Sequence, residues 1–309
     1  MFAIELRRRG RATEAFVALA DRLNDTRFEV GTATPQVAVT EFARATKTLR
    51  AVCLLVRDGY GPQALVLART IFESTLAVRW ALEHPAVADE QMDLHGRLEL
   101  TVEDEAWQRS GISRGSSAPA RPLTTDERAK TEALFGRRAT AGWTGHKNIK
   151  ELVNELADLE QAAGSTAGVF LRDAFTLMLG WADRMTHTTF ISTRSSGFAA
   201  ESRTGEYSAG PSSNELFHAL QLGGSSYAVL LSFFLPTFAP QLMDDLQAVD
   251  ARYWRAWKDI TLLAAVRGDD KCVCDRPSGT WKECHGSTDP YSDRTIERLA
   301  LSAVSNTAQ

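Results

Sequence analysis

This 309-residue sequence lacks a disulfide framework, a membrane-length apolar run, a dominant charge of one sign and a nucleotide-binding glycine loop, and each absence closes a class. Only four cysteines occur, Cys53 alone and three between residues 272 and 284. That argues against a disulfide scaffold and fits a reducing, cytoplasmic setting. The most apolar stretch, YAVLLSFFLPTFAP at 227–240, falls short of the ~20 residues that cross a bilayer and is interrupted by Pro236. It predicts a buried helix end and no membrane partner. The chain turns strongly charged at the arginine run that begins with Arg7, before any apolar region has formed, unlike a secretory signal. The net charge of −4 and pI near 5.9 argue against coating nucleic acid through bulk charge, but leave room for a local basic face. No Walker loop, dinucleotide fingerprint, nucleophile motif or internal repeat is found, which argues against the nucleotide-binding and hydrolase classes they mark. Lysine is scarce: 28 of the 35 basic residues are arginine, the better fork for carboxylate and phosphate, a bias that genome composition also produces.

What is present is helical periodicity in a chain long enough for one large core or two modest ones. Val39, Phe42, Ala45, Leu49, Val52 and Val56 recur at steps of three and four, with Thr34 as candidate N-cap, Pro35 at the first helical position and Gly59 as stop. Pro62 opens a second helix that Pro85 ends, so the two form an antiparallel hairpin. A helix is expected at 86–108, a break at 110–122, and a capping box at Thr124 and Glu127. Ile149, Leu152, Leu156 and Leu159 mark an amphipathic helix. A long helix is expected from Thr166 to Ile191, a loop at 192–213 that reads as a functional lid or disordered segment, and helices near 214–235 and 240–265. The predicted fold is all-α, a bundle of about seven to nine helices with a small C-terminal zinc knuckle. Its parts are an N-terminal helix at 1–30, a helical domain at 31–266 and a tail at 267–309.

The tail reads CVCDRPSGTWKECHG. Cys272, Cys274, Cys284 and His285 form C-x-C-x9-C-H around a Pro-Ser-Gly turn. Three thiolates and an imidazole suit one structural Zn²⁺ in tetrahedral coordination. A thioredoxin-like redox site needs C-x-x-C beside a βαβ unit, and neither is there. These residues resemble the SEC-C motif, a small zinc-binding tail. Gly279, Trp281 and Lys282 also match, whereas the spacer is one residue longer and DRPSGT replaces a glycine-serine-glycine-lysine run. The resemblance implies zinc binding and, with reduced basic character, docking of a protein partner or nucleic acid through the tail. Cys53 reads as a buried small residue.

The body, roughly residues 35–195, resembles a bacterial all-helical family of unknown function with an Arg-x-x-x-Glu helix, a Trp-Gly-Lys loop and a serine- or threonine-rich segment with a histidine. Here these are Arg69 and Glu73; Trp143, Gly145 and Lys147; and Thr186 and His187. Arg69 and Glu73 lie one turn apart beside an apolar stripe, as a structural ion pair or a functional one. Asp183 and His187 are also one turn apart, so the carboxylate can orient the imidazole, with Arg184 on the same face. The bland alternative is a solvated histidine among surface charges. A second resemblance is to helical nucleotide-binding domains of the HEPN group, whose Arg-x4–6-His motif cuts RNA without metal. Arg79 and His84 match that spacing, and chance matches are expected among 28 arginines and six histidines. His95, His146 and His218 have no partner evident in sequence; His146 reads as a solvated loop residue, and the acids at 89–105 as a solvated helix face.

Two functions remain in view. One is an effector acting on nucleic acid or nucleotides in bacterial stress or phage defence, including a metal-independent ribonuclease. The other is a non-enzymatic zinc-bearing adaptor or homodimeric scaffold that binds a protein through its tail.

Overall fold

The computed structural model describes residues 2–258 except 25, 27, 29–30, 32–34, 111–120, 138–139, 181, 183–199, 202–206 and 209–214. The described chain is all-α apart from a two-residue ladder. Its elements are α1 (Phe2–Asp21), α2 (Gln36–Arg57), α3 (Gly61–Glu83), α4 (Ala88–Ser110), α5 (Thr125–Phe135), α6 (Ile149–Ala162) and α7 (Ala167–Asp173). A π-helical turn (Ala174–Leu179), β1 (Ala200–Glu201) and β2 (Tyr207–Ser208) follow, then α8 (Leu216–Phe238), a 3₁₀ turn (Pro240–Leu242) and α9 (Met243–Lys258). β1 and β2 pair antiparallel, Ala200 opposite Ser208.

The α2–α3 hairpin forms as expected, turning through Gly59 at φ 87°, the left-handed conformation that favours glycine. α8 lies against both hairpin helices, and α1 and α9 pack alongside. Leu49, Leu65, Ile71, Phe72, Leu231 and Phe234 are buried in this core. The Phe42 ring stacks on Phe234 at 4.1 Å between centroids. Some buried polar groups pair across it: the hydroxyls of Thr46 and Tyr227 meet at 2.6 Å, and Ser74 donates to Glu41 Oε2 at 2.7 Å. α1 shares this core through Ala12, Phe16 and Leu19. α4 and α5 enclose a smaller cluster of Leu94, Leu98 and Phe135.

Four sequence expectations are corrected. Pro236 does not interrupt the apolar stretch: it sits in the last turn of α8, where it removes the bond its N–H would make to the Ser232 carbonyl, but both residues are exposed, so water can reach that carbonyl, and the helix runs on to Phe238. At 23 residues α8 has the length and composition to cross a membrane, yet 72% of its most apolar window is buried against its neighbours, as in a core helix. The helix expected over 166–191 gives way to π-helical geometry after Asp173. α2 begins at Gln36, and its N-terminus is capped from another helix: Asp89 on α4 accepts from the backbone N–H of Gln36 and Val37 at 2.8 and 2.9 Å. Asp89 is therefore a tertiary cap and not part of a merely solvated face. The capping box at Thr124 and Glu127 is present, and Arg97 donates two bonds to the Glu127 carboxylate, tying α4 to α5. These bonds hold Glu127 far below the usual carboxylate range.

Candidate functional site

Two regions concentrate chemistry-bearing side chains. The first lies where the C-terminal end of α3 meets α6. Between α5 and α6 the chain folds into a tight loop: Gly142 N–H donates to the His146 carbonyl at 2.9 Å, Gly145 N–H to the Gly142 carbonyl at 2.8 Å, and Gly145 takes φ 82°. Asn148 then caps α6 by accepting from Glu151 N–H at 3.0 Å. The loop delivers Trp143 edge-on to Trp80 at 5.1 Å and sets His146 over the second turn of α6. One carboxylate there serves two imidazoles. Glu155 Oε2 lies 2.8 Å from His146 Nε2, and Glu155 Oε1 lies 3.4 Å from His84 Nε2. The other ring nitrogen of His146, Nδ1, is 2.9 Å from Thr144 Oγ1, and the His84 ring rests on Trp80 at 4.7 Å.

Arg79 lies next to this cluster, with its Nε donating to Glu160 at 2.5 Å and its Nη1 to Glu83 at 2.8 Å. Its side chain is 16% exposed and that of Glu160 8%, so the pair is largely desolvated. Burial works against the Arg79 charge, but the bonds to Glu160 and Glu83 outweigh it and raise its pKa. With two carboxylates on one guanidinium, Arg79 is committed to joining α3 to α6. Both members of the expected Arg79–His84 couple thus face α6, Arg79 through Glu160 and His84 through Glu155, but the phosphate-holding half is already occupied. Arg69 and Glu73 form their ion pair at 2.8 Å. Ten residues separate Arg69 from Arg79, about 15 Å along the helix, so the two pairs do not share a site. Asp183, Arg184 and His187 lie outside the described residues, as do Cys272, Cys274, Cys284 and His285.

Three further histidine and cysteine expectations are settled. His146 is half-buried and paired, not a solvated loop residue. His95 bonds the Ala141 carbonyl at 3.0 Å, and His218 bonds Glu215 at 2.6 Å. Cys53 is buried, which pushes its thiol up to about 12 and keeps it protonated and inert. Sequence inspection missed Glu155 and Glu160, because neither has a helical-period relation to the histidines and arginine they hold. The only hint was the Asn148 cap, which places residue 155 two turns into α6, back towards the loop.

The second region is a groove of about 730 Å³ between α1 and α9, lined by Ile4, Arg7, Arg8, Arg11, Arg252 and Arg255 with Ala12 and Ala256. Beneath it Arg9, 4% exposed, is sandwiched between the rings of Phe217 (4.1 Å) and Trp257 (4.9 Å). Burial lowers its pKa to about 10, well above neutrality, so it stays charged. Arg8 Nη2 crosses to the Arg255 carbonyl at 3.0 Å. No group of three or more histidine, cysteine or acidic side chains fit to hold a metal occurs among the described residues.

The fold is therefore an all-helical bundle with an acid–base cluster on one flank and an arginine groove on another. The chain belongs to DUF5677, a family of unknown function, whose model matches residues 36–201, from the start of α2 to β1. No curated protein and no solved structure matches it.

Proposed function

We propose that this chain is an effector that acts on nucleic acid, cutting RNA without a metal, with His84 and His146 as its acid–base groups. The observation that carries this reading is the sharing of Glu155 by the two imidazoles. Cleavage of an RNA strand by its own 2′-hydroxyl needs one group to take the 2′-O–H proton as that oxygen bonds to phosphorus. A second group gives a proton to the 5′-oxygen as its bond to phosphorus breaks. Two histidines supply both roles, each through Nδ1, the ring nitrogen that Glu155 does not hold, and at His146 the substrate takes the place of Thr144 Oγ1 on that nitrogen; the products are a 2′,3′-cyclic phosphate and a 5′-hydroxyl. Glu155 positions the rings, as a carboxylate does for a catalytic imidazole. Incubating the full chain with fluorescent single-stranded RNA in EDTA tests this. Cleavage that falls about 100-fold in His84→Ala and in His146→Ala is expected. No cleavage by wild type, or cleavage by either variant at the wild-type rate, overturns the reading.

The SEC-C-like tail belongs to the same proposal, with Cys272, Cys274, Cys284 and His285 holding one structural Zn²⁺. Metal analysis should give about one zinc per chain, lowered by Cys284→Ser. A second reading, a non-enzymatic adaptor, draws support from Arg69 and Arg79, both engaged by carboxylates as in a scaffold. Capture of one specific protein, lost with Cys284→Ser, from a chain without nuclease activity would favour it.

A further inference from the structure

We infer that the groove between α1 and α9 is a binding site for the phosphate backbone of a polynucleotide, with Arg7, Arg11 and Arg252 as its principal contacts. The inference rests on the nucleic-acid reading above, but places the contact on the helical body and not on the tail.

Charge pairing carries the argument. In a chain with more acids than bases, five arginines line one groove. Arg8 is tied to the Arg255 carbonyl and lies 3.8 Å from Glu5, and Arg255 Nε bonds the Ala251 carbonyl. Arg7, Arg11 and Arg252 are exposed and have no ion-pair or hydrogen-bond partner among the described residues. Arg7 and Arg11 are one turn apart, a like-charged pair that disfavours the helix by about a few tenths of a kcal/mol and that no ion pair among the described residues offsets. A ligand with closely spaced negative charge relieves that repulsion along the row. Guanidinium forks match phosphate oxygens in bidentate geometry, and among the described residues no lysine lines the groove.

The surroundings narrow the ligand class. Ile4 is the only large apolar side chain lining the groove among the described residues, whereas a membrane surface is met by a broad apolar face. Among the described residues the lining has no aromatic side chain on which a base would stack, so the backbone is held without sequence readout. α1 and α9 reach the core through α2 and α8, and α6 reaches it through α3, so the groove and the His84–Glu155–His146 cluster occupy different flanks. A substrate that uses both is a strand of many nucleotides and not a mononucleotide. Arg9, wedged between Phe217 and Trp257, fixes how α1 sits on α8 and α9, and its Nε is buried without a hydrogen-bond partner among the described residues.

The test measures fluorescence anisotropy of a labelled 30-nucleotide single-stranded RNA with the full chain carrying His84→Ala and His146→Ala, so that binding is read without cleavage. The expected result is binding that weakens steeply with salt. Adding Arg7→Gln, Arg11→Gln and Arg252→Gln should weaken it at least tenfold and reduce the log–log salt slope by about 2, near 0.7 per lost phosphate contact. The Arg→Lys triple should keep most of the affinity. Absence of RNA binding, an unchanged affinity and slope in the Gln triple, or preferential binding of poly-glutamate or phosphatidylserine vesicles overturns the groove assignment. If RNA binds through the groove but wild type never cuts it, the groove stands and the acid–base reading falls. If wild type cuts RNA and the Gln triple binds it unchanged, the reverse holds.

Discussion

On α3, Arg69 and Arg79 are both held by carboxylates, whereas in the α1–α9 groove Arg7, Arg11 and Arg252 have no partner among the described residues. The same residue type does opposite work in the two places. At the α3–α6 contact, burial makes an unpaired guanidinium costly, so the chain supplies Glu160 and Glu83 and the charge becomes a tie between helices. On the groove rim, water solvates the guanidinium, so no partner is needed for folding and the charge remains available to a ligand. An arginine's contribution to stability and its availability for binding are therefore inversely related here, and burial decides between them.

The sharpest way to break this comparison is to remove a carboxylate from the paired side. Glu160→Ala should lower stability by about 3 kcal/mol, because Arg79 keeps only the more exposed Glu83; urea unfolding reads this, and a loss under 1 kcal/mol would mean that the pair is not a tie. Gly224→Ala tests the seat of α9: a Cβ there would come within 2.7 Å of the fully buried Tyr253 ring, for an expected cost of about 2 kcal/mol with m unchanged. Asp250 on α9 adds a pH arm. Burial pushes its carboxyl up to about 6, so its stabilising contribution is complete below the ordinary carboxylate pKa and disappears as pH rises through 6. Asp250→Asn should therefore gain about 1–2 kcal/mol at pH 7.5 and almost nothing at about pH 3, and equal gains at both would exclude the burial effect. The smallest change is expected where the ligand effect is largest: the Arg7, Arg11 and Arg252 Gln triple should unfold within about 0.5 kcal/mol of wild type.

The hairpin of α2 and α3, the cap at Thr124 and the amphipathic α6 were all legible in the sequence because each depends on residues within a few positions of one another. The Arg69–Glu73 pair was legible for the same reason. Asp89 was misread because its partners, Gln36 and Val37, lie more than fifty residues away. His146 was misread because a histidine in a glycine-bounded loop looks solvated until α6 sets Glu155 against it. The groove was invisible for a related reason: Arg7, Arg8 and Arg11 are one helix's surface charge until α9, over two hundred residues later, lays Arg252 and Arg255 beside them.

By itself the sequence determined most of the helices, the local cap at Thr124 and the arginine-rich composition, since hydrophobic period and local hydrogen bonding act over a turn or two. Only the tertiary structure decided which charges would be neutralised and which left open. Packing chooses the partner and the burial of each side chain, and burial sets the cost of leaving a charge unpaired.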